Sequence, residues 1–306
     1  MRVLFLGTAE IALPALQRLH QQAGVELVGV ISQPDRPAGR ARSLRASPVK
    51  EQARALGLTC ITPEKVGALE VQEQVRAWAP DLLVVVAYGQ YIPEQILKLA
   101  PHRGINLHPS LLPKYRGPSP IQWALLQGDR ETGVSIIRVA KEMDAGDILL
   151  QERYTIQADE HAGSLHDALA HLGAELLCKT IDLIRVDALE PRVQNEAEVT
   201  HTQKLSKIDG CMDWHLTAQA LHNRVRAFHP WPGSYTLLPD GRRLQVHAAV
   251  VEPGEGEPGC LIDEGLCVAT QAGALRLLEV QLPGKKRMAA AAFLRGCPLA
   301  IGDRLG

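Results

Sequence analysis

Asparagine is scarce in this 306-residue chain, present only as Asn106, Asn195 and Asn223, and aromatic residues make up 4% of it, so any core has to be built mainly from aliphatic side chains. The six cysteines, Cys60, Cys178, Cys211, Cys260, Cys267 and Cys297, never stand as C-x-x-C. They are widely scattered, and reduced structural thiols are expected in a chain long enough to fold without disulfides. A dominant charge is also missing: 33 basic residues face 34 acidic ones, a net charge of -1, so an anionic partner has to be met by a local basic patch. No apolar run reaches the length of a membrane span, and "MRVLFLG" enters a strand without the basic and apolar regions of a signal peptide; a cytoplasmic location is expected. "FLGTAE" lacks G-x-G-x-x-G, which disfavours a nicotinamide dehydrogenase.

What the chain does have is alternation. "RVLFLG", "ELVGVISQ", "TCIT", "DLLVVVAYG" and "GINLH" read as buried strands, separated by helical stretches such as "IALPALQRLHQQ" and "LEVQEQVRAWA". That order predicts βαβ units, an α/β fold with a Rossmann-like, mostly parallel sheet covered on both faces. "TGVSIIRVA" and "GDILLQERYTI" read as an antiparallel addition, and "SLHDALAHLGAELLCKTIDLIR" as a long closing helix. From Asp187 the text turns acidic and aperiodic, as in a linker. Beyond it, "RLQVHAAVV", "GCLIDE", "GLCVAT" and "GALRLLEVQ" read as short strands of a small β-barrel. The expected division is 1–189, a linker over 190–206, and a C-terminal domain over 207–306.

Asn106 and His108 are two apart on a strand and therefore share a face, at the carboxyl end where open α/β sheets bind ligands. Asn donates to a developing oxyanion, and His exchanges protons near neutral pH, a pairing suited to nucleophilic attack on a carbonyl. For an isolated N-x-H the commoner reading is plainer: a loop amide beside a hydrogen-bonded core histidine. Downstream context favours chemistry. "SLLPKYRG" reads as an extended segment with free backbone groups that would grip a flat heterocycle, and "KEMDAGDILL" offers Asp144 as a carboxylate to orient the imidazole, with Asp147 as a turn former. His161, His166 and His171 stand five residues apart on a helix, so successive side chains diverge by about 140° and do not converge on a metal.

The run from "GINLHPSLLPKYRG" to "DAGDILLQE" resembles the 10-formyltetrahydrofolate-dependent formyltransferases, whose marks are N-x-H, S-L-L-P and D-x-G-D. The resemblance implies Asn106, His108 and Asp144 as catalytic residues. It implies Ser110, Leu111, Leu112, Pro113, Ala87, Tyr88 and Gly89 as contacts for 10-formyltetrahydrofolate, with no metal. Family acceptors include methionyl initiator tRNA, a glycinamide ribonucleotide, an amino-sugar nucleotide and water. "QPDRPAGRARSLRASPVK" places Arg36, Arg40, Arg42, Arg45 and Lys50 on one loop, a charge suited to a phosphate backbone, and Arg42 is expected to reach the tRNA acceptor end. "KIDGCMDWH", "RVRAFHPWPGSY" and "LPGKKRM" resemble the C-terminal domain of the tRNA-formylating branch, an OB-like barrel, with Lys285, Lys286 and Arg287 as a second basic cluster and Arg224 and Arg226 as possible additions. Trp231, between prolines, is expected to plug the core rather than stack on a base. The expectation is a monomeric enzyme that formylates methionyl initiator tRNA. Its rivals are formylation of an amino-sugar nucleotide and, in another class, non-catalytic RNA binding.

Overall fold

The computed structural model describes residues 1–38 and 43–306. It contains two compact units, one of Met1–Gly117, Thr132–Thr155 and His166–His201, the other of Pro118–Glu131, Ile156–Leu165 and Thr202–Gly306.

The first unit is built on β1 (Arg2–Gly7), β2 (Glu26–Ile31), an antiparallel hairpin of β3 (Arg36–Ala38) and β4 (Ser43–Arg45), β5 (Cys60–Ile61), β6 (Leu82–Val86), β7 (Gly104–His108), β8 (Glu131–Arg138) and β9 (Ile148–Thr155). Seven of these form one sheet in the order β5-β2-β1-β6-β7-β8-β9. β5, β2, β1, β6 and β7 run parallel, and β8 is antiparallel to β7. Val3, Leu4, Phe5 and Leu6 all have 0% exposure, so successive side chains of β1 are buried on both faces, as a covered parallel sheet requires. Leu4, Leu6, Leu83 and Val85 pack with Val71 and Val75 of the helix Leu69–Trp78 and with Ile96 of the helix Glu94–Leu97. Each such side chain contributes about 1.5–3 kcal/mol by leaving water.

The long helix Ala162–Arg185 lies close against β7. A Cβ on Gly173 would stand 2.8 Å from Leu107 Cδ1, so a larger residue there would push the Leu107 side chain aside. Leu107 is thereby covered, and Asn106 and His108 point from the opposite face of the strand.

The second unit carries a five-stranded antiparallel sheet of β10 (Ser234–Leu237), β11 (Arg243–Glu252), β12 (Cys267–Ala269), β13 (Ala274–Gln281) and β14 (Met288–Ala289). Register shifts around Ala248 in the β11–β13 ladder bend it into a curled half-barrel over a core of Trp214, Leu244, Val246, Leu275 and Leu277. "GCLIDE" forms no strand; Cys260 and Leu261 make only isolated bridges, to Arg304 and Val268. Trp231 is 49% exposed rather than a plug, because Trp214 fills that role, 4% exposed with Nε1 donating to Thr236 Oγ1 at 3.1 Å.

The helix Pro120–Leu126 belongs to this second unit, packed on the helix Ala218–Ala227. Arg192 bridges Ile148 and His201 bridges Arg116, and both pairings fall within the first unit. Among the described residues no helix is long and apolar enough to cross a membrane.

Candidate active site

β6 and β7 are parallel neighbours with Val85 beside Asn106, so the Ala87–Gly89 corner and the Asn106–His108 pair emerge at the same end of the sheet. In the antiparallel ladder Asn106 faces Ile137 and His108 faces Ser135.

Asp144 reaches this end from the turn after β8. Its backbone is left-handed, at φ 54°, which costs a residue with a Cβ roughly 1–2 kcal/mol. Gly146 makes the turn possible, since a Cβ there would lie 1.9 Å from the Arg138 carbonyl. The Gly117 N–H donates to Asp144 Oδ2 at 2.9 Å, and a hydrogen bond to a charged acceptor contributes about 1.5–3 kcal/mol, enough to offset the strain. The other carboxylate oxygen accepts from Asn106 Nδ2 at 3.5 Å. His108 Nδ1 lies 3.5 Å from Asp144 Oδ2, with the two side chains 5% and 13% exposed. Sequence separation of 36 residues is thus closed to ion-pair distance.

His108 Nε2 lies 3.0 Å from the Tyr115 carbonyl. A carbonyl only accepts, so Nε2 carries the hydrogen and Nδ1 is left facing the carboxylate. A proton arriving at Nδ1 would therefore sit beside a negative charge in a nearly water-free setting.

The segment expected to offer free backbone groups is folded in on itself. The Ser110 N–H donates to the His108 carbonyl, Ser110 Oγ to the Lys114 carbonyl at 2.7 Å, and the Leu112 N–H to Ser135 Oγ at 3.1 Å. Ser135 Oγ in turn donates to the Ser110 carbonyl, and Gln151 Nε2 to the Leu112 carbonyl. Ser110 and Leu112 are buried, which leaves Leu111 and Pro113 partly exposed. In the "AYG" corner, Ala87 and Gly89 are exposed with φ of 46° and 83°, while the Tyr88 ring is buried in the core. Burial pushes the Tyr88 phenol far above its usual range, and its main-chain carbonyl accepts from Thr8 Oγ1 and Gln33 Nε2. A ligand at this corner would meet main chain at residues 87 and 89, not the Tyr88 side chain.

Gln194, Arg116 and Thr200 escaped the sequence reading. Gln194 Nε2 donates to the carbonyls of Asp144 and Gly146, Arg116 Nε donates to Gln194 Oε1, and the Tyr115 N–H donates to Thr200 Oγ1. The one available signal was an uncharged amide in an acidic stretch, too weak to mark a site.

Of the expected tRNA contacts, Arg36 is exposed and pairs with Glu64 at 3.4 Å, and Arg45 is exposed. Arg40 and Arg42 lie outside the described residues. Lys50 is drawn to Asp35 at 2.7 Å. In the second unit Lys285 and Lys286 are exposed, and Arg287 pairs with Glu279. Arg224 and Arg226 are structural there: Arg224 Nη2 donates to the Asp209 carbonyl at 2.6 Å and Arg226 Nη1 to that of Glu160 at 3.2 Å. His161 packs edge-on against His229, and His166 pairs with Asp167. Among the described residues no group of three or more His, Cys, Asp or Glu side chains is placed to hold a metal ion.

An amide donor, an imidazole and a carboxylate gathered at the strand ends of an α/β sheet make a site for acyl transfer, in which an oxyanion and a proton need handling together. The chain belongs to the formyl transferase family: the Formyl transferase model matches residues 1–181, and the Formyl transferase, C-terminal domain model matches residues 204–298. It is 43% identical to the methionyl-tRNA formyltransferase of Geotalea daltonii, over 100% of this chain and 98% of that protein. It is 45% identical to the methionyl-tRNA formyltransferase of Symbiobacterium thermophilum, over 99% of this chain and 95% of that protein. The solved structure of WlaRD, a sugar 3N-formyl transferase crystallised in the presence of dTDP and 5-N-formyl-THF, shares the fold with a TM-score of 0.68 at 17% identity, over 94% of this chain and 99% of that one.

Proposed function

We propose that this chain transfers the formyl group of 10-formyltetrahydrofolate to the free α-amino group of methionyl initiator tRNA. The carrying observation is the meeting of Asn106, His108 and Asp144, with Asp144 Oδ2 3.5 Å from His108 Nδ1 and Oδ1 3.5 Å from Asn106 Nδ2. Full-length likeness to methionyl-tRNA formyltransferases supports the choice of acceptor.

10-Formyltetrahydrofolate supplies an activated formyl carbon on a nitrogen leaving group. The exposed Ala87 and Gly89 after β6 and the partly exposed Leu111 and Pro113 after β7 are the positions that meet the flat heterocycle. The acceptor amine forms a C–N bond to the formyl carbon while the carbonyl oxygen becomes an oxyanion. Asn106 donates to that oxygen, an interaction worth about 10²–10³ in rate when such a donor is removed elsewhere. The amine proton passes to the Asp144–His108 pair, whose carboxylate and Nδ1 face each other at 3.5 Å, and returns from that pair to the departing folate nitrogen as the second C–N bond breaks.

In this reading residues 1–189 carry the chemistry and 207–306 the tRNA-binding domain, joined by 190–206. Arg36, Arg45, Lys285, Lys286 and Arg287 contact phosphates, with Arg40 and Arg42 assigned the same role from the sequence. The enzyme acts as a monomer in the cytoplasm. The test is formyl transfer to initiator methionyl-tRNA against an amino-sugar nucleotide in direct competition. Label on the sugar overturns the assignment.

A further inference from the structure

We propose that Gln194 is a positioning residue for Asp144, a role that rests on the formyl-transfer reading above. Gln194 is 5% exposed although residues 191–193 and 195–198 on either side of it are exposed, so a single amide is turned inward from a surface segment. Every hydrogen-bonding direction it points inward is used: Nε2 donates to the Asp144 carbonyl at 2.7 Å and the Gly146 carbonyl at 2.8 Å, and Oε1 accepts from Arg116 Nε at 3.0 Å.

These bonds close a ring. The Asp144 carboxylate accepts from the Gly117 N–H, Gly117 follows Arg116, Arg116 donates to Gln194, and Gln194 donates back to the main chain of Asp144. The catalytic carboxylate is thus held at its head and at its backbone by one amide's reach. The left-handed Asp144 sits on a turn whose flanking Lys141, Glu142 and Met143 are exposed, and Asn106 and His108 meet it through the carboxylate, whereas the bond from Gln194 reaches its main chain. Two donors and one acceptor without a net charge are what the position demands, and only Gln or Asn carries that set.

The test uses the purified full chain and the variants Q194M and Q194E, assayed with 10-formyltetrahydrofolate and methionyl initiator tRNA. Gln194→Met keeps the volume and removes both donors. Its kcat is expected to fall about 10- to 100-fold, the scale of a 1 Å misplacement of a catalytic group, with KM for both substrates held within about twofold. Gln194→Glu replaces the donors with an anion, and its rate relative to wild type at the same pH is expected to recover as pH falls toward about 5.5, where the introduced buried carboxyl regains one O–H donor. With the rate at each pH divided by the folded fraction read by circular dichroism, a role in folding alone would not produce that recovery. A Q194M rate within about threefold of wild type, or a loss confined to KM or to the fraction folded, overturns the proposal. Independently of activity, a crystal structure of Q194M is expected to show the Asp144 carboxylate withdrawn from the Gly117 N–H, and an unmoved carboxylate overturns it. A wild-type chain that transfers no formyl group overturns the functional reading instead, and is distinguished by that alone.

Discussion

Replacing Asp144 by Asn removes one charge and almost nothing else. Asn tolerates the left-handed backbone that Asp144 adopts at φ 54°, so the turn is expected to survive where Ala would strain it. The amide oxygen can still accept from the Gly117 N–H, which the carboxylate accepts at 2.9 Å. What is lost is the attraction between the carboxylate and a proton on His108 Nδ1, 3.5 Å away, with both side chains largely out of water. Two unit charges near 4 Å interact by about 4 kcal/mol at an effective dielectric of about 20, which corresponds to about three orders of magnitude in rate. The new amide also turns its N–H groups toward Asn106 Nδ2, itself a donor, and disturbs the oxyanion contact. Single-turnover formyl transfer to methionyl initiator tRNA is therefore expected to slow about 10³-fold or more in D144N, with KM for the tRNA and the melting temperature close to wild type. A rate within about tenfold of wild type refutes the coupling of carboxylate to imidazole.

Other perturbations separate chemistry, binding and folding. Asn106→Ala is expected to lower kcat about 10²- to 10³-fold in steady-state assays with little change in KM, as loss of an oxyanion donor does. Gly146→Ala, which sets a methyl 1.9 Å from the Arg138 carbonyl, is expected to destabilise the first unit by about 3–5 kcal/mol in denaturant titration. Arg45→Ala is expected to weaken tRNA binding and to reduce the slope of log K against log salt by about 1, read by filter binding over a salt series. Burial holds the His222 and His229 imidazoles below their usual value near 6.5, helped at His222 by Arg226 and at His229 by His161, Arg287 and His247. The unfolded chain then binds these protons first, so their contribution to stability is present above about pH 6.5 and is lost as pH falls toward the lowered folded values. Thermal unfolding of the second unit is expected at lower temperature at about pH 5.5 than at about pH 8, and H222N with H229N is expected to flatten that dependence.

The parallel sheet was legible because its strands are continuous apolar runs separated by periodic helices, a pattern that only burial on both faces explains. Asn106 and His108 were legible because a period of two places them together and Pro109 ends the strand behind them. Asp144 was one of two carboxylates that the turn offered, and likeness to a family singled it out, since no local rule links residues 36 apart in a turn and a strand. Gln194 and Arg116 were not legible: their meaning lies in bonds to carbonyls and side chains far along the chain, and an aperiodic polar stretch reads as a tether. The fold of Ser110–Pro113 was hidden for the same reason, because Ser135 and Gln151 arrive from β8 and β9 to use the backbone groups that appear free in one dimension. Trp231 misled through its stiff setting, when the core position had gone to Trp214, whose indole finds a hydroxyl to bond.

The central claim is that this site moves a formyl group onto the amine of one particular aminoacyl-tRNA. It is tested most directly by incubating the purified chain with formyl-labelled 10-formyltetrahydrofolate and, separately, initiator and elongator methionyl-tRNA. Label is expected on the initiator species and to be absent when Asp144 is replaced by Asn; label on neither tRNA, or undiminished transfer by D144N, contradicts it.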